Sequence, residues 1–207
     1  REQPRSRGLG DVYKRQCLGQ LGMNEAGVCV GINNLVATDG CPGVMWTSVV
    51  RDALLQESAA SARDAILDAE LAGAHSFLTF DASGDGYMIE AFPTARPAKQ
   101  LADDALVHTN HALWDEALAR QATKQEDLMV NSTRRRDRAL QLLDRDGIGV
   151  EDLMAVTRDD EAICQVSVEP THIESSGAAI MRPSTRDFWA VWGLPSQNEY
   201  VHVPFPS

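Results

Sequence analysis

Basic residues are scarce in this chain of 207 residues, in which 19 Lys and Arg stand against 30 Asp and Glu, for a net charge of −11. A surface this acidic repels phosphate backbones and anionic lipids, so neither nucleic acid nor a membrane surface is an expected partner. Apolar runs of the length that spans a bilayer are missing as well. Hydrophobic residues nevertheless make up 43% of the chain. That share predicts a globular core with a solvated surface.

Cysteine is also rare, with four residues: Cys17, Cys29, Cys41 and Cys164. They form neither a CxxC pair nor a dense disulfide pattern, and we therefore expect a reducing, cytoplasmic location. Cys29 lies in an apolar stretch and Cys164 begins another, so both are expected to be packed thiols. Cys17 would be a terminal nucleophile only if residues 1–16 were removed, and its neighbours show no cleavage signal.

The amino end differs from the remainder in charge. Residues 1–16 contain five basic and two acidic residues, 5 − 2 = +3, which leaves −11 − 3 = −14 for residues 17–207. This segment has no apolar core of a signal peptide and no amphipathic period. We interpret 1–16 as non-native or disordered sequence, with a flexible basic arm as the alternative. Residues 17–207 are expected to form a single α+β domain.

Periodicity predicts strands near both ends of this domain. Val28, Val30 and Ile32 alternate with small residues after an Asn24–Gly27 turn, which is typical of a half-buried strand. Hairpins are predicted from residues 76–80 with 87–92, and from residues 178–181 with 188–192. A further strand is predicted over residues 105–108. The patterns therefore favour antiparallel sheet segments packed by helices.

Helices are predicted in three regions. The first follows Pro42-Gly43 and has Trp46, Val49, Val50, Ala53 and Leu54 at helical spacing. The second has its apolar positions between residues 62 and 69 and should stop at Gly73. The third covers residues 114–157.

Two imidazoles, a hydroxyl and an amide occur together in the sequence VHTNH at residues 107–111. His108 and His111 would supply two ligands to a metal, but no third ligand stands out nearby. They would also serve as a general base and its orienter, although the motif supplies no nucleophile. The third interpretation is a loop whose polar side chains cap neighbouring backbone groups. Spacing alone favours this third interpretation.

The order of motifs resembles the isopenicillin N acyltransferase family of cysteine N-terminal nucleophile amidases. Residues 19–35, GQLGMNEAGVCVGINNL, are similar to its segment G-x-x-G-x-N-x-A-G-V-x-V followed by N-x-L. The blocks that follow in the family's order are PGV at 42–44, AHSF at 74–77, EAFPT at 90–94, VHTNH at 107–111, Ser132 with Arg135 and Arg138, Ile163-Cys164, and FWAV at 188–191. The resemblance covers roughly residues 17–200.

The resemblance implies a four-layer αββα fold, incomplete here, and autocleavage before a cysteine whose new α-amino group is the base. It makes Asn110 an oxyanion-hole donor, with His108, Thr109 and His111 in supporting roles that shape the loop. The family's nucleophile lies several dozen residues before the glycine-rich segment, so Cys17 does not match it. We therefore expect no nucleophile in this chain, and no cofactor or metal is implied.

The resemblance implies an amidohydrolase that cleaves a linear carbon–nitrogen amide bond in a small substrate through an acyl-enzyme. Two alternatives remain: an acyltransferase that uses a coenzyme A thioester, and a truncated, non-catalytic protein of the same fold. Gln165 stands where many members carry Arg, and Ser176 stands where penicillin-specific members carry a basic residue. A substrate other than penicillin is therefore expected.

Overall fold

The computed structural model describes residues 20–102, 105–169 and 172–205. Residues 1–16 and Cys17, for which the sequence makes predictions, lie outside these ranges. Two antiparallel sheets and five α-helices make up the described part. The predicted α+β class is confirmed. No helix within the described ranges combines the length and the apolar character needed to cross a membrane.

The first sheet has five strands in the order β1-β2-β3-β4-β5, each antiparallel to its neighbours. The strands are β1 (Gly22–Met23), β2 (Cys29–Asn34), β3 (His75–Phe80), β4 (Gly86–Ala91) and β5 (Ala98–Gln100). The predicted hairpin is confirmed as β3 and β4, with Ser76 opposite Glu90 and Phe77 opposite Ile89. The predicted turn before β2 is confirmed too, and Gly27 has the positive φ of 82° that favours glycine.

Two helices cover one face of this sheet, α1 (Trp46–Ala53) and α2 (Ala59–Asp68). They pack against each other, and α2 packs on β3 and β4. The main core lies between these elements and includes Val30, Val50, Ile66, Phe77 and Ile89, all of them fully buried. Burial of apolar area on this scale is the main force that holds the helices on the sheet.

The prediction that α2 stops at Gly73 is wrong, because the helix ends at Asp68 and Ala69 is already extended. Leu71 then forms a parallel bridge with Val44, which draws the chain away from a helical path. Gly43 permits this approach, since a Cβ at that position would lie 2.4 Å from the carbonyl oxygen of Glu70. The long-range pairing therefore outweighs the local stop signal.

Three helices occupy the predicted helical region 114–157: α3 (Asp115–Leu118), α4 (Glu126–Leu143) and α5 (Val150–Arg158). The helical character is confirmed, but non-helical segments separate the three. The predicted strand over residues 105–108 is wrong, since the described residues 105–109 have no strand pairing. A bond between the buried side chains of His108 and Glu90 holds the end of this segment instead.

The second sheet has three strands in the order β6-β7-β8: β6 (Gly177–Arg182), β7 (Asp187–Trp192) and β8 (Val201–Val203). The predicted terminal hairpin is confirmed as β6 and β7, and β8 adds a third strand. Helix α5 packs on β6. Each sheet thus carries helices, and the loop that contains the VHTNH sequence precedes α3.

Candidate active site

The loop at residues 108–114 is tied to the first sheet by Glu90 of β4. The side chains of Glu90 and His108 are both fully buried, and His108 Nε2 lies 2.9 Å from Glu90 Oε1. The backbone N–H of Leu113 also donates to Oε1 at 2.6 Å, and that of Trp114 donates to Oε2 at 3.3 Å. A buried carboxylate is tolerated only when such donors compensate its lost hydration. Glu90 therefore fixes both ends of the loop.

Several hydrogen bonds join the middle of the loop to Ser132 of α4, which is 1% exposed. The backbone N–H of Asn110 donates to Ser132 Oγ at 2.9 Å, and His111 Nδ1 lies 2.8 Å from the same oxygen. Thr109 Oγ1 donates to the Ser132 carbonyl oxygen at 2.9 Å. Three consecutive loop residues thus converge on one serine, which explains why this polar segment needs no strand pairing.

The protonation of His111 agrees with this arrangement. Its pKa is lowered from the ordinary value, first by burial and then by the nearby charges of His108, Arg136 and Lys124. In the neutral tautomer that carries its proton on Nε2, Nδ1 accepts, so the Ser132 hydroxyl can donate to His111 while it accepts from Asn110. Both rings thus bond to buried side chains, His108 to Glu90 and His111 to Ser132, and take part in holding the loop.

The side chain of Asn110 is held from both ends. Arg135 Nη2 donates to Asn110 Oδ1 at 3.0 Å, and Asn110 Nδ2 donates to the carbonyl oxygen of Asn34, the last residue of β2, at 3.1 Å. A guanidinium has donors only, so the atom that faces Arg135 must be the amide oxygen. The second N–H of Nδ2 has no acceptor among the residues that the structure describes.

Asn110 lines a cavity of about 390 Å³ between the end of β2, helix α4 and the segment that precedes β6. Four of its twelve lining residues are apolar and the other eight are polar or charged. Its lining consists of Asn34, Val36, Asn110, Lys124, Leu128, Asn131, Arg135, Ile163, Gln165, Ile173, Glu174 and Ser175.

The described cysteines lie outside this lining. Burial, with the charge of Asp81 as the second cause, raises the pKa of Cys29 to about 12, so its thiol stays protonated. Cys164 is buried, as expected, and its Sγ donates to Ser196 Oγ at 3.3 Å. Cys41 is exposed, with its Sγ 3.6 Å from the carbonyl oxygen of Leu71. A thiolate is the reactive form of cysteine, and burial disfavours that form at Cys29.

Several site residues carry no role in the sequence-based prediction. The sequence does mark Glu90 as unusual, because it is the single charged residue in the apolar run YMIEAF. Ser132 and Arg135 occur in a block that resembles the family, but their contacts with Asn110 are not readable from spacing. Lys124, whose Nζ donates to the Asn110 carbonyl oxygen, has no sequence signal.

Comparison with solved structures defines the class of fold. Two variants of the conjugated bile acid hydrolase from Clostridium perfringens match with TM-scores of 0.59 and 0.58, at 12% and 13% identity, over 90% of this chain and 77% of theirs. Penicillin V acylase from Agrobacterium tumefaciens matches with a TM-score of 0.52 at 13% identity, over 84% of this chain and 62% of that one. The chain therefore has the fold of N-terminal nucleophile hydrolases.

The family follows from the sequence. The family model described as acyl-coenzyme A:6-aminopenicillanic acid acyl-transferase matches residues 11–197. The chain belongs to this family, and the predicted resemblance is confirmed. No curated protein matches the chain. The family and the structural relatives support an amide hydrolase or acyltransferase of the N-terminal nucleophile type.

Proposed function

We propose that the protein is a cysteine amidohydrolase that cleaves a linear carbon–nitrogen amide bond in a small molecule, with Asn110 as an oxyanion-hole donor. The observation that carries this proposal is the orientation of the Asn110 amide. Arg135 and Asn34 fix its two ends, while one N–H beside the cavity has no acceptor among the described residues. Preorganised donors of this kind stabilise the negative charge that develops on a carbonyl oxygen under attack.

The proposed reaction proceeds through an acyl-enzyme. A cysteine thiol loses its proton to the terminal α-amino group, whose reference pKa of about 7.7–8.0 suits this exchange, and the thiolate attacks the amide carbon. The resulting oxyanion accepts a hydrogen bond from Asn110 Nδ2. The amine then leaves with a proton from the α-ammonium group, and water hydrolyses the thioester that remains.

The nucleophile in this proposal is none of the three described cysteines. Cys29 and Cys164 are buried, and none of the three lines the cavity beside Asn110. We propose that the nucleophile belongs to a segment outside the 207 residues, which by themselves should show no amidase activity.

Acyl transfer is the second candidate, and the description of the family favours it, because that description names an acyl-coenzyme A donor. The same oxyanion site would serve a thioester carbonyl, and an amine would take the place of water in the second step.

The test begins with the genomic DNA upstream of Cys17. An open frame that encodes a cysteine at a plausible autocleavage junction supports the enzyme, and a start codon near residue 1 supports a non-catalytic protein of this fold. The complete gene product is then assayed for amine release from a panel of N-acyl amino acids and β-alanyl amides, with and without an acyl-coenzyme A and a second amine. Failure to release amine or transfer acyl groups in every assay would contradict the proposed function.

A further inference from the structure

Two cationic side chains share the cavity with Asn110. Lys124 Nζ donates to the backbone carbonyl oxygen of Asn110, and Arg135 Nη2 donates to its side-chain oxygen at 3.0 Å. Arg135 Nε also donates to Asn131 Oδ1 at 2.8 Å. Both cations line the cavity and are half-buried. Two positive charges are thus held beside the proposed oxyanion donor.

Neither cation forms an ion pair with a carboxylate in the described part of the chain. The other described arginines are divided: five pair with an acidic side chain, namely Arg63, Arg138, Arg145, Arg158 and Arg182, and the rest do not. Burial lowers the pKa of Lys124, with the charge of Arg135 as the second cause, and burial alone lowers the pKa of Arg135. The site therefore keeps two like charges together without a counter-ion, which is unfavourable in the empty protein.

The two side chains retain hydrogen-bonding capacity. An ammonium group has three donors and a guanidinium group has five, of which one and two are used here, so 2 + 3 = 5 donors remain. Among the described residues that line the cavity, Glu174 is the only acidic one, and its exposed side chain forms no ion pair with a described residue. The free donors and the uncompensated charge together form a site for an anion.

A purely structural role explains only part of this arrangement. The bond from Arg135 to Asn110 Oδ1 orients the amide, as any neutral donor would. The second charge, on Lys124, contributes nothing to the orientation of the Asn110 side chain, because Lys124 contacts the backbone oxygen. Two cations at one cavity are better explained by a charge on the molecule that enters it.

We propose that the amide substrate carries a carboxylate close to its scissile carbonyl, and that Lys124 and Arg135 bind this carboxylate. This inference rests on the proposed function, since it places the scissile carbonyl at Asn110. The recognised chemistry is that of an N-acyl amino acid. The chain as a whole is acidic, at −11, so recognition depends on this local pair of charges and not on long-range attraction.

The test compares two probes of nearly the same shape, N-acetylglycine, which carries a carboxylate, and N-acetylglycinamide, which carries a neutral carboxamide in its place. Binding of each to the 207-residue chain is measured by calorimetry at low ionic strength. The variants are Lys124→Gln, Arg135→Gln and the double variant, and Arg120→Gln, an exposed cation outside the cavity lining, is the control. Circular dichroism verifies that each variant is folded.

We expect N-acetylglycine to bind about tenfold more tightly than N-acetylglycinamide, the ratio that one charge-assisted hydrogen bond provides. The double variant should lose this preference and Arg120→Gln should retain it. Added salt should reduce the preference, because the two cations are only half-buried. Equal binding of the two probes to the unmodified chain, which requires no variant to fold, would overturn the proposal. An unchanged preference in the folded double variant would overturn it too.

The same probes separate this inference from the proposed function. If the complete gene product hydrolyses both with equal kcat/KM, the amidohydrolase function stands and carboxylate recognition is overturned. If the chain prefers the carboxylate probe but the complete gene product hydrolyses no amide and transfers no acyl group, the anion site stands as a binding site and the proposed function fails.

Discussion

Arg135 and Asn110 are joined by a hydrogen bond of 3.0 Å from the guanidinium Nη2 to the amide oxygen Oδ1. This bond determines which end of the Asn110 amide is the donor end, because a guanidinium cannot accept. It also withdraws electron density from the amide oxygen, which makes the Nδ2–H groups better donors. The proposed catalytic role of Asn110 depends on this bond and on the residues that hold the loop around Asn110.

Glu90→Gln should destabilise the protein by about 1–3 kcal/mol, the range for a buried hydrogen-bonded group that loses a partner. The neutral amide has one acceptor oxygen where the carboxylate has two, so it cannot serve His108, Leu113 and Trp114 together. Urea unfolding measures the change. Glu57→Gln, at an exposed position without a hydrogen bond among the described residues, is the control. A Glu90→Gln variant as stable as the unmodified chain would contradict the anchoring role.

Ser132→Ala should also lower the unfolding free energy by about 1–3 kcal/mol, because the Asn110 N–H and His111 Nδ1 lose a buried partner. Thermal denaturation measures it, with Thr133→Ala on the exposed side of the same helix as the matched control. In the complete enzyme, Ser132→Ala should reduce kcat through displacement of Asn110. Unchanged stability and unchanged kcat would show that the loop does not depend on Ser132.

His75 predicts a pH dependence of stability. Burial lowers its pKa from 6.5 to about 4, and its ring stacks on Trp46 with centroids 5.1 Å apart. The unfolded state therefore binds the proton more readily than the folded state. The contribution to stability is full above the unfolded pKa of 6.5 and is lost as the pH falls from 6.5 towards 4.

The measurement is urea unfolding at about pH 7 and about pH 4.5. His75→Phe keeps the stacking surface and removes the titration, so its stability should fall less between the two pH values than that of the unmodified chain. An identical pH dependence in His75→Phe and the unmodified chain would contradict the assignment to His75.

Local patterns predict the parts of this fold that local forces determine. The alternation around Val30 predicts β2, and the apolar runs on either side of residues 81–86 predict the hairpin of β3 and β4. Residues 105–108 resemble a strand in sequence but do not form one. Side-chain bonds hold the chain there, from His108 to Glu90 and from Thr109 to Ser132. Tertiary contacts override the local preference there.

In the candidate site, too, the sequence predicts one part and tertiary contacts determine the other. The VHTNH sequence and its resemblance to the family direct attention to Asn110. The partners of Asn110 lie 14, 22, 25 and 76 residues away along the chain, at Lys124, Ser132, Arg135 and Asn34. Separations of this kind follow no helical or strand period, so only the folded chain reveals the pair of cations and the cavity.

The central claim, that Asn110 stabilises the oxyanion, is tested most directly by the kcat and KM of Asn110→Ala in the complete gene product. We predict a decrease in kcat of about 10²–10³ with little change in KM, because the bond is needed most when the carbonyl oxygen carries charge. His111→Ala should cost less activity and more thermal stability, since His111 supports the loop. A nearly normal kcat in Asn110→Ala, together with abolished activity in a folded His111→Ala, would contradict the account and identify His111 as the catalytic group.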